Sequence, residues 1–136
     1  AYALASYQSH VYQDWNYYYI LKEIYEGLQY IAYGDLQGTI LSNSEAGNWI
    51  PSINGNRVYQ GHFSQTFEHG KKQKDWERFL TQEETGDEKY RFLKEHNISY
   101  VVYIDEEQER AVFTDSRYLW LVYSNERVDM YKVLKI

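Results

Sequence analysis

Two polar segments of this chain carry the residues best suited to chemistry. Glu45 and Asn48 follow the first predicted strand, His62 ends the second, and Thr66 follows it. If the two strands are parallel neighbours, these side chains share the crevice at the carboxyl ends of the strands, where open α/β sheets bind ligands. Glu45 and His62 could act there as acid and base in a proton transfer.

The same residue types also suit recognition of a sugar. Amide, carboxylate and imidazole groups hydrogen-bond to hydroxyls, and an indole ring offers an aromatic face. The candidate ligand-binding residues are therefore Glu45, Asn48, Trp49, His62 and Thr66. A structural role is the alternative, because Asn and Ser fix turns and Gly47, Gly55 and Gly61 allow unusual backbone angles. No third group is evident that would orient a base, so we assign no catalytic residue.

The elements that must position these residues predict an α/β fold. Helical spacing of apolar residues predicts helices over 16–33, 71–82 and 85–96, and the last opens with capping-box spacing from Thr85 to Glu88. Short apolar runs predict five strands, at 38–43, 57–62, 99–104, 118–123 and 128–134. Residues 43–56, which hold the only proline, are expected to form a loop.

Long connections between the first three strands favour parallel pairing with right-handed crossovers. Turn residues at 124–127 join the last two strands, so these should form an antiparallel hairpin that extends one edge. The sequence thus predicts a Rossmann-like α/β sandwich with a mostly parallel sheet of about five strands and a C-terminal antiparallel hairpin. We expect one soluble domain over 1–136, with an irregular lead-in at 1–15 and an α/β core at 16–136.

Composition excludes several classes of function. The net charge of −6, with 14 basic and 20 acidic residues, argues against a nucleic-acid partner. The absence of Cys excludes disulfides and thiolate metal sites, and the four His lack metal-ligand spacing. We expect no metal and no cofactor, since no Gly-rich nucleotide motif is present. Lys71, Lys72 and Lys74 are interpreted as the solvated start of a helix. No apolar run is long enough to span a bilayer, and no signal peptide is evident.

One extended pattern resembles a known family. It comprises Gly47-Asn-Trp-Ile-Pro51, then Arg57-Val-Tyr-Gln-Gly-His62 with Thr66, a helix ending Trp76-Glu-Arg-Phe79, and Phe92-Leu93 followed by Ile98-Ser-Tyr-Val101. The pattern resembles the last segment of bacterial multi-pass glycosyltransferase-like membrane proteins, relatives of the lipid-phosphate-sugar-dependent mannosyltransferases. It covers about residues 38–134, with one extra residue between Gly55 and Arg57.

The resemblance implies a non-catalytic accessory domain on the extracytoplasmic face of the cell membrane, within a larger membrane protein. In such transferases the catalytic carboxylates are expected in loops between the first membrane helices, so the parent and not this domain would be the enzyme. The implied partners are a glycan acceptor or a lipid-linked sugar and the rest of the parent protein. Two alternatives stay open. One is an interaction module, with weak self-association through an edge at 128–134, and the other is a small hydrolase using Glu45 and His62.

Overall fold

Four helices and five strands make up the part of the chain that the computed structural model describes, residues 22–32, 38–61, 66–80, 85–104 and 117–135. The helices are α1 (Lys22–Ala32), α2 (Ser44–Asn54), α3 (His69–Leu80) and α4 (Gly86–Glu95). The strands are β1 (Thr39–Leu41), β2 (Arg57–Val58), β3 (Ile98–Ile104), β4 (Leu119–Ser124) and β5 (Val128–Val133). The predicted lead-in at 1–15 lies outside these ranges. No helix within them is long and apolar enough to cross a bilayer.

The strands form one mixed sheet in the order β2-β1-β3-β5-β4. β1 pairs in parallel with both β2 and β3, which confirms the predicted parallel arrangement of the first three strands. β5 runs antiparallel to β3 and to β4, which confirms the terminal hairpin. The α/β class, the five strands and the C-terminal hairpin are therefore confirmed, in a mixed sheet that is parallel over β2-β1-β3 and antiparallel over β3-β5-β4. The Rossmann-like arrangement stays a prediction.

Helices cover both faces of the sheet. On one face, α1 and α2 bury Ile24, Leu28 and Ile50 against the sheet. On the other face, apolar residues of α3 and α4 pack in a second core. β3 faces both cores, with Val102 in the first and Val101 in the second. Its continuous apolar sequence is explained by this central, doubly covered position, as predicted.

Helix α2 occupies the segment that we expected to be a loop. The Asn43 side chain accepts the Ala46 N–H at 2.9 Å and so caps the start of the helix. Gly55, with φ of 75°, ends the helix in the left-handed region and donates its N–H to the Pro51 carbonyl. Ala46 and Ile50 then lie on one buried face. This burial and the two caps outweigh the helix-breaking effect of Pro51 and the low helix propensity of the Gly and Asn residues.

The two edges of the sheet also differ from expectation. The segment 128–134 was predicted to offer an edge for strand addition, but β5 lies inside the sheet between β3 and β4. The edge strands are β2, with two residues, and β4. β4 exposes Trp120 (66%) and Leu121 (46%). Any strand added beyond the hairpin would therefore pair with β4.

The capping box that opens α4 is present as predicted. The Thr85 hydroxyl accepts the Glu88 N–H at 3.2 Å, and the Glu88 carboxylate accepts the Thr85 N–H at 3.0 Å. We expect Thr85→Ala to lower the free energy of unfolding by about 1 kcal/mol, because it leaves a helix N–H without its side-chain partner. Urea denaturation would measure the loss. Thr85→Ser, which keeps the hydroxyl, serves as the control, and equal losses in both variants would contradict the capping role.

Candidate functional site

A groove of about 420 Å³ runs along the outer side of α2 at the β2 edge of the sheet. One wall is the middle of α2, and the other is formed by the residues that follow β2 and by the first turns of α3. The lining side chains that matter for recognition are Asn48, Ser52, Tyr59, Thr66, Phe67 and Lys72.

Two motif glycines let the walls of this groove meet. A Cβ atom on Gly47 would lie 1.7 Å from the Gln60 carbonyl oxygen, and one on Gly61 would lie 3.1 Å from the Gly47 oxygen. The backbone of α2 thus packs directly against the segment that follows β2. We expected these glycines to supply unusual backbone angles. Only Gly55 of the three does so, whereas Gly47 is required for close approach and Gly61 leaves little room for a side chain.

The structure brings some of the predicted site residues together. Asn48 and Thr66 line the same groove, although a helix and not a loop positions Asn48. Trp49 does not line the groove. Its ring packs instead against the core beneath α1 and α2. The Glu45 side chain and all of His62 lie outside the described residues. The acid–base pairing of Glu45 with His62 therefore stays a prediction.

The polar side chains of the groove differ in how many hydrogen bonds they make within the described part of the chain. The Thr66 hydroxyl accepts the Gly61 N–H at 2.9 Å, so Thr66 also has a structural role. No described residue hydrogen-bonds to the Asn48 side chain. Gln60 is 1% exposed and donates to the Ser42 carbonyl at 3.0 Å, while no partner for its amide oxygen lies in the described part of the chain. Asn48 is thus the side chain best placed to bind a polar ligand.

Sequence reasoning missed three residues of the groove. Phe67 is 79% exposed and presents its ring at the rim. Lys72, which was assigned to a solvated helix start, instead extends over the Tyr59 ring with its ammonium 5.3 Å from the centroid. Ser52 lies one helical turn beyond Asn48, so the two side chains share a face of α2. This spacing was not recognised because the segment was predicted to be a loop.

A cluster of hydrogen bonds and ion pairs around the buried Asp75 carboxylate supports the α3 wall of the groove. Tyr59 donates its hydroxyl to the Asp75 carboxylate at 2.6 Å, and Asp75 also accepts from Lys71 at 3.3 Å and Arg78 at 3.0 Å. Burial and the hydrogen bond to Asp75 raise the pKa of Tyr59, so its phenol stays neutral. Burial alone would raise the pKa of Asp75, but the hydrogen bonds from Tyr59 and Lys71 outweigh it and lower the pKa. The cluster fixes α3 against the chain segment that follows β2.

The groove has the chemistry of a binding site. Its polar groups, namely an amide, two hydroxyls and an ammonium group, can hydrogen-bond to a polar ligand. Its exposed aromatic ring can stack on that ligand. Within the described ranges, no group of three His, Asp or Glu side chains gathers in a geometry that could hold a metal.

No protein-family model and no curated protein sequence matches this chain. Among solved structures, it is similar in fold to the C-terminal globular domain of an oligosaccharyltransferase from Archaeoglobus fulgidus. The similarity has a TM-score of 0.65 and covers 85% of this chain and 99% of that chain, at 14% sequence identity. At this low identity the likeness shows a shared fold.

Proposed function

We propose that the chain is a non-catalytic, extracytoplasmic accessory domain of a membrane glycosyltransferase-like protein. The observation that carries the proposal is the fold shared with the C-terminal globular domain of an oligosaccharyltransferase along nearly the whole of that domain. The motif resemblance over residues 38–134 supports the same class from an independent direction. The parent protein would supply the catalytic carboxylates and the membrane-spanning helices.

We further propose that the groove contacts the glycan acceptor or the sugar of a lipid-linked donor. Its volume of about 420 Å³ falls in the range of roughly 300–1,000 Å³ found for small-molecule sites. Asn48 can both donate to and accept from sugar hydroxyls. The exposed Phe67 ring can cover the apolar face of a sugar. The groove residues also belong largely to the motif segments that carry the resemblance, from Gly47 to Thr66.

A titration of the ¹⁵N-labelled domain with methyl α-mannoside and with N-acetylglucosamine tests the sugar contact. We expect saturable amide shifts at Asn48, Thr66 and Phe67 with a dissociation constant in the millimolar range, about −4 kcal/mol. Asn48→Ala should weaken binding about fivefold, because one net hydrogen bond contributes about 1 kcal/mol.

Arg91→Ala, an exposed change on α4 outside the groove, is the matched control and should bind like the wild type. The absence of shifts with every sugar would refute the sugar contact. The assignment to a membrane protein has a separate test: a parent gene that encodes no membrane-spanning helix would refute it.

A further inference from the structure

The groove at the β2 edge of the sheet carries a positive charge that no acidic lining residue offsets. Among the described residues that line it, Lys72 alone is charged, and the other polar side chains, such as Asn48 and Ser52, are neutral. A cation on a concave surface without a counter-charge attracts a ligand of negative charge. Given that the groove binds a sugar, as proposed above, this charge restricts the class of sugar.

The ammonium group of Lys72 is held in place by the Tyr59 ring. Its nitrogen lies 5.3 Å from the ring centroid, a cation–π distance. The ring is fixed in turn, because Tyr59 is buried and its hydroxyl donates to Asp75 at 2.6 Å. Lys72 is half-buried, unlike Lys71 and Lys74 on the same helix, which are exposed. A ligand would therefore meet a positioned ammonium group, and binding it would cost less side-chain entropy than binding a free lysine.

The two carboxylates nearest along the chain do not pair with Lys72. Asp75 pairs instead with Lys71 at 3.3 Å and with Arg78 at 3.0 Å. Glu68 lies four residues before Lys72, a spacing that pairs opposite charges on a regular helix, but its φ of 52° takes it out of helical geometry. Among the described residues, no carboxylate lies within ion-pair distance of the Lys72 ammonium. Lys72 therefore keeps its charge and N–H donors for a ligand.

A short series of contacts links the two walls of the groove. A Cβ atom placed on Gly61 would lie 3.8 Å from the backbone nitrogen of Asn48, in the α2 wall. Gly61 also donates its N–H to the Thr66 hydroxyl at 2.9 Å, just before α3. The Glu68 carbonyl, two residues later, accepts the Lys72 N–H at 3.0 Å. These contacts join the wall that carries Asn48 to the wall that carries Lys72, and both residues line one groove.

We propose that the groove binds a sugar that carries a carboxylate, such as a hexuronic acid unit of a glycan. The Lys72 ammonium donates to the carboxylate, while Asn48 and Ser52 bond to the ring hydroxyls. Phe67, exposed at the rim, covers the apolar face of the ring. One ammonium group balances the single charge of a carboxylate. A phosphate group carries more charge and favours several cations or the bidentate fork of arginine, which the described lining does not supply.

Two ligands of nearly the same size and different charge test this proposal. Methyl glucuronide carries a carboxylate, and methyl glucuronamide carries a neutral amide in its place. Titration of the ¹⁵N-labelled wild-type chain at low salt gives a dissociation constant for each ligand. We expect the glucuronide to bind about fivefold more tightly, a difference of about 1 kcal/mol. This preference should shrink in about 1 M sodium chloride, because salt screens the attraction between the two charges.

Two glutamine variants assign the preference to one lysine. Lys72→Gln should reduce it to less than about twofold (about 0.4 kcal/mol), because glutamine can still hydrogen-bond but carries no charge. Lys74→Gln removes the same charge from an exposed position of α3 outside the groove and should keep the preference. The ratio of the two affinities is the readout, so a general loss of sugar affinity in one variant cannot imitate the effect.

The outcomes separate this proposal from the sugar contact on which it rests. Equal affinity of the wild type for both ligands would overturn the carboxylate preference and leave the sugar contact in place. A preference that persists in Lys72→Gln, or that is lost equally in Lys74→Gln, would also overturn the proposal. Binding of neither ligand would refute the sugar contact together with the preference.

Discussion

Gly47→Ala should destabilise the domain by about 3 kcal/mol or more, the upper range for forcing extra atoms into a packed interior. The added Cβ would lie 1.7 Å from the carbonyl oxygen of Gln60 and 2.8 Å from its carbonyl carbon. These are backbone atoms, so they cannot rotate away as a side chain could. Either α2 or the segment after β2 must move, and the groove between them must change with it. The gain of about 1 kcal/mol in helix propensity is too small to compensate.

The matched control for this change is Gly70→Ala. Gly70 is also a helical glycine, in the first turn of α3, and a Cβ there would meet no heavy atom within 4 Å. We expect Gly70→Ala to be neutral or slightly stabilising. Guanidinium denaturation followed by circular dichroism would compare the two variants with the wild type. If both alanines left the unfolding midpoint unchanged, the direct backbone contact between α2 and Gln60 would be disproved.

Asp75→Asn should have the second largest effect, a loss of about 2–3 kcal/mol at neutral pH. Asp75 is 7% exposed and accepts hydrogen bonds from Tyr59, Lys71 and Arg78. An amide cannot carry the charge that these donors stabilise, and hydrogen bonds to a charged group contribute about 1.5–3 kcal/mol. Glu77→Gln, an exposed change on the same helix, is the control and should cost less than about 0.5 kcal/mol.

The pH dependence of stability gives this prediction a second readout. Because the pKa of Asp75 is lower in the folded state than in the unfolded chain, its contribution is complete above the unfolded value of about 4. That contribution is lost as the pH falls through the folded pKa. The difference between wild type and Asp75→Asn should therefore shrink from pH 6 towards about pH 2. A difference that stays constant over this range would show that the lost stability does not come from the carboxylate charge.

The elements that the sequence predicts well are those with local signals. The capping box at Thr85 and Glu88 depends on residues three positions apart, and it fixes the start of α4. The turn after β4 is held by Asn125, whose side-chain oxygen accepts the N–H groups of Arg127 and Val128. Such contacts form between near neighbours and leave their pattern in a short stretch of sequence.

Helix α2 could not be predicted in the same way. Its segment contains Pro51, Gly47 and several Asn and Ser residues, which are typical of a loop. The helix forms because Ala46 and Ile50 are buried against α1 and β3, and no short pattern encodes that contact. The prediction that β5 is an edge strand was wrong for a similar reason, because the order of strands depends on pairing between distant segments.

The candidate site was predicted in part. We expected Asn48 and Thr66 to lie near each other because both were placed in loops at the ends of neighbouring strands. In the structure they line one groove because the backbone of α2 at Gly47 packs against Gln60. Phe67 and Lys72 were missed because their place in the groove depends on how α3 begins. Trp49 was assigned to the ligand on its residue type alone, and its packing against the core was not visible in the sequence.

The short strand β1 has a consequence for the order in which the sheet folds. Thr39 pairs with Arg57, 18 positions later (57 − 39), and with Ile98, 59 positions later (98 − 39). The paired residues of the C-terminal hairpin lie 5 positions apart at Ser124 and Asp129 (129 − 124) and 14 apart at Leu119 and Val133 (133 − 119). Loop closure costs more entropy for the pair 59 positions apart than for the hairpin, so we expect the hairpin to form before β1 pairs with β3. We therefore expect the pairing of β1 with β3 to form after the hairpin and to open before it, and its opening would detach β2 and the groove wall that follows β2 from the rest of the sheet.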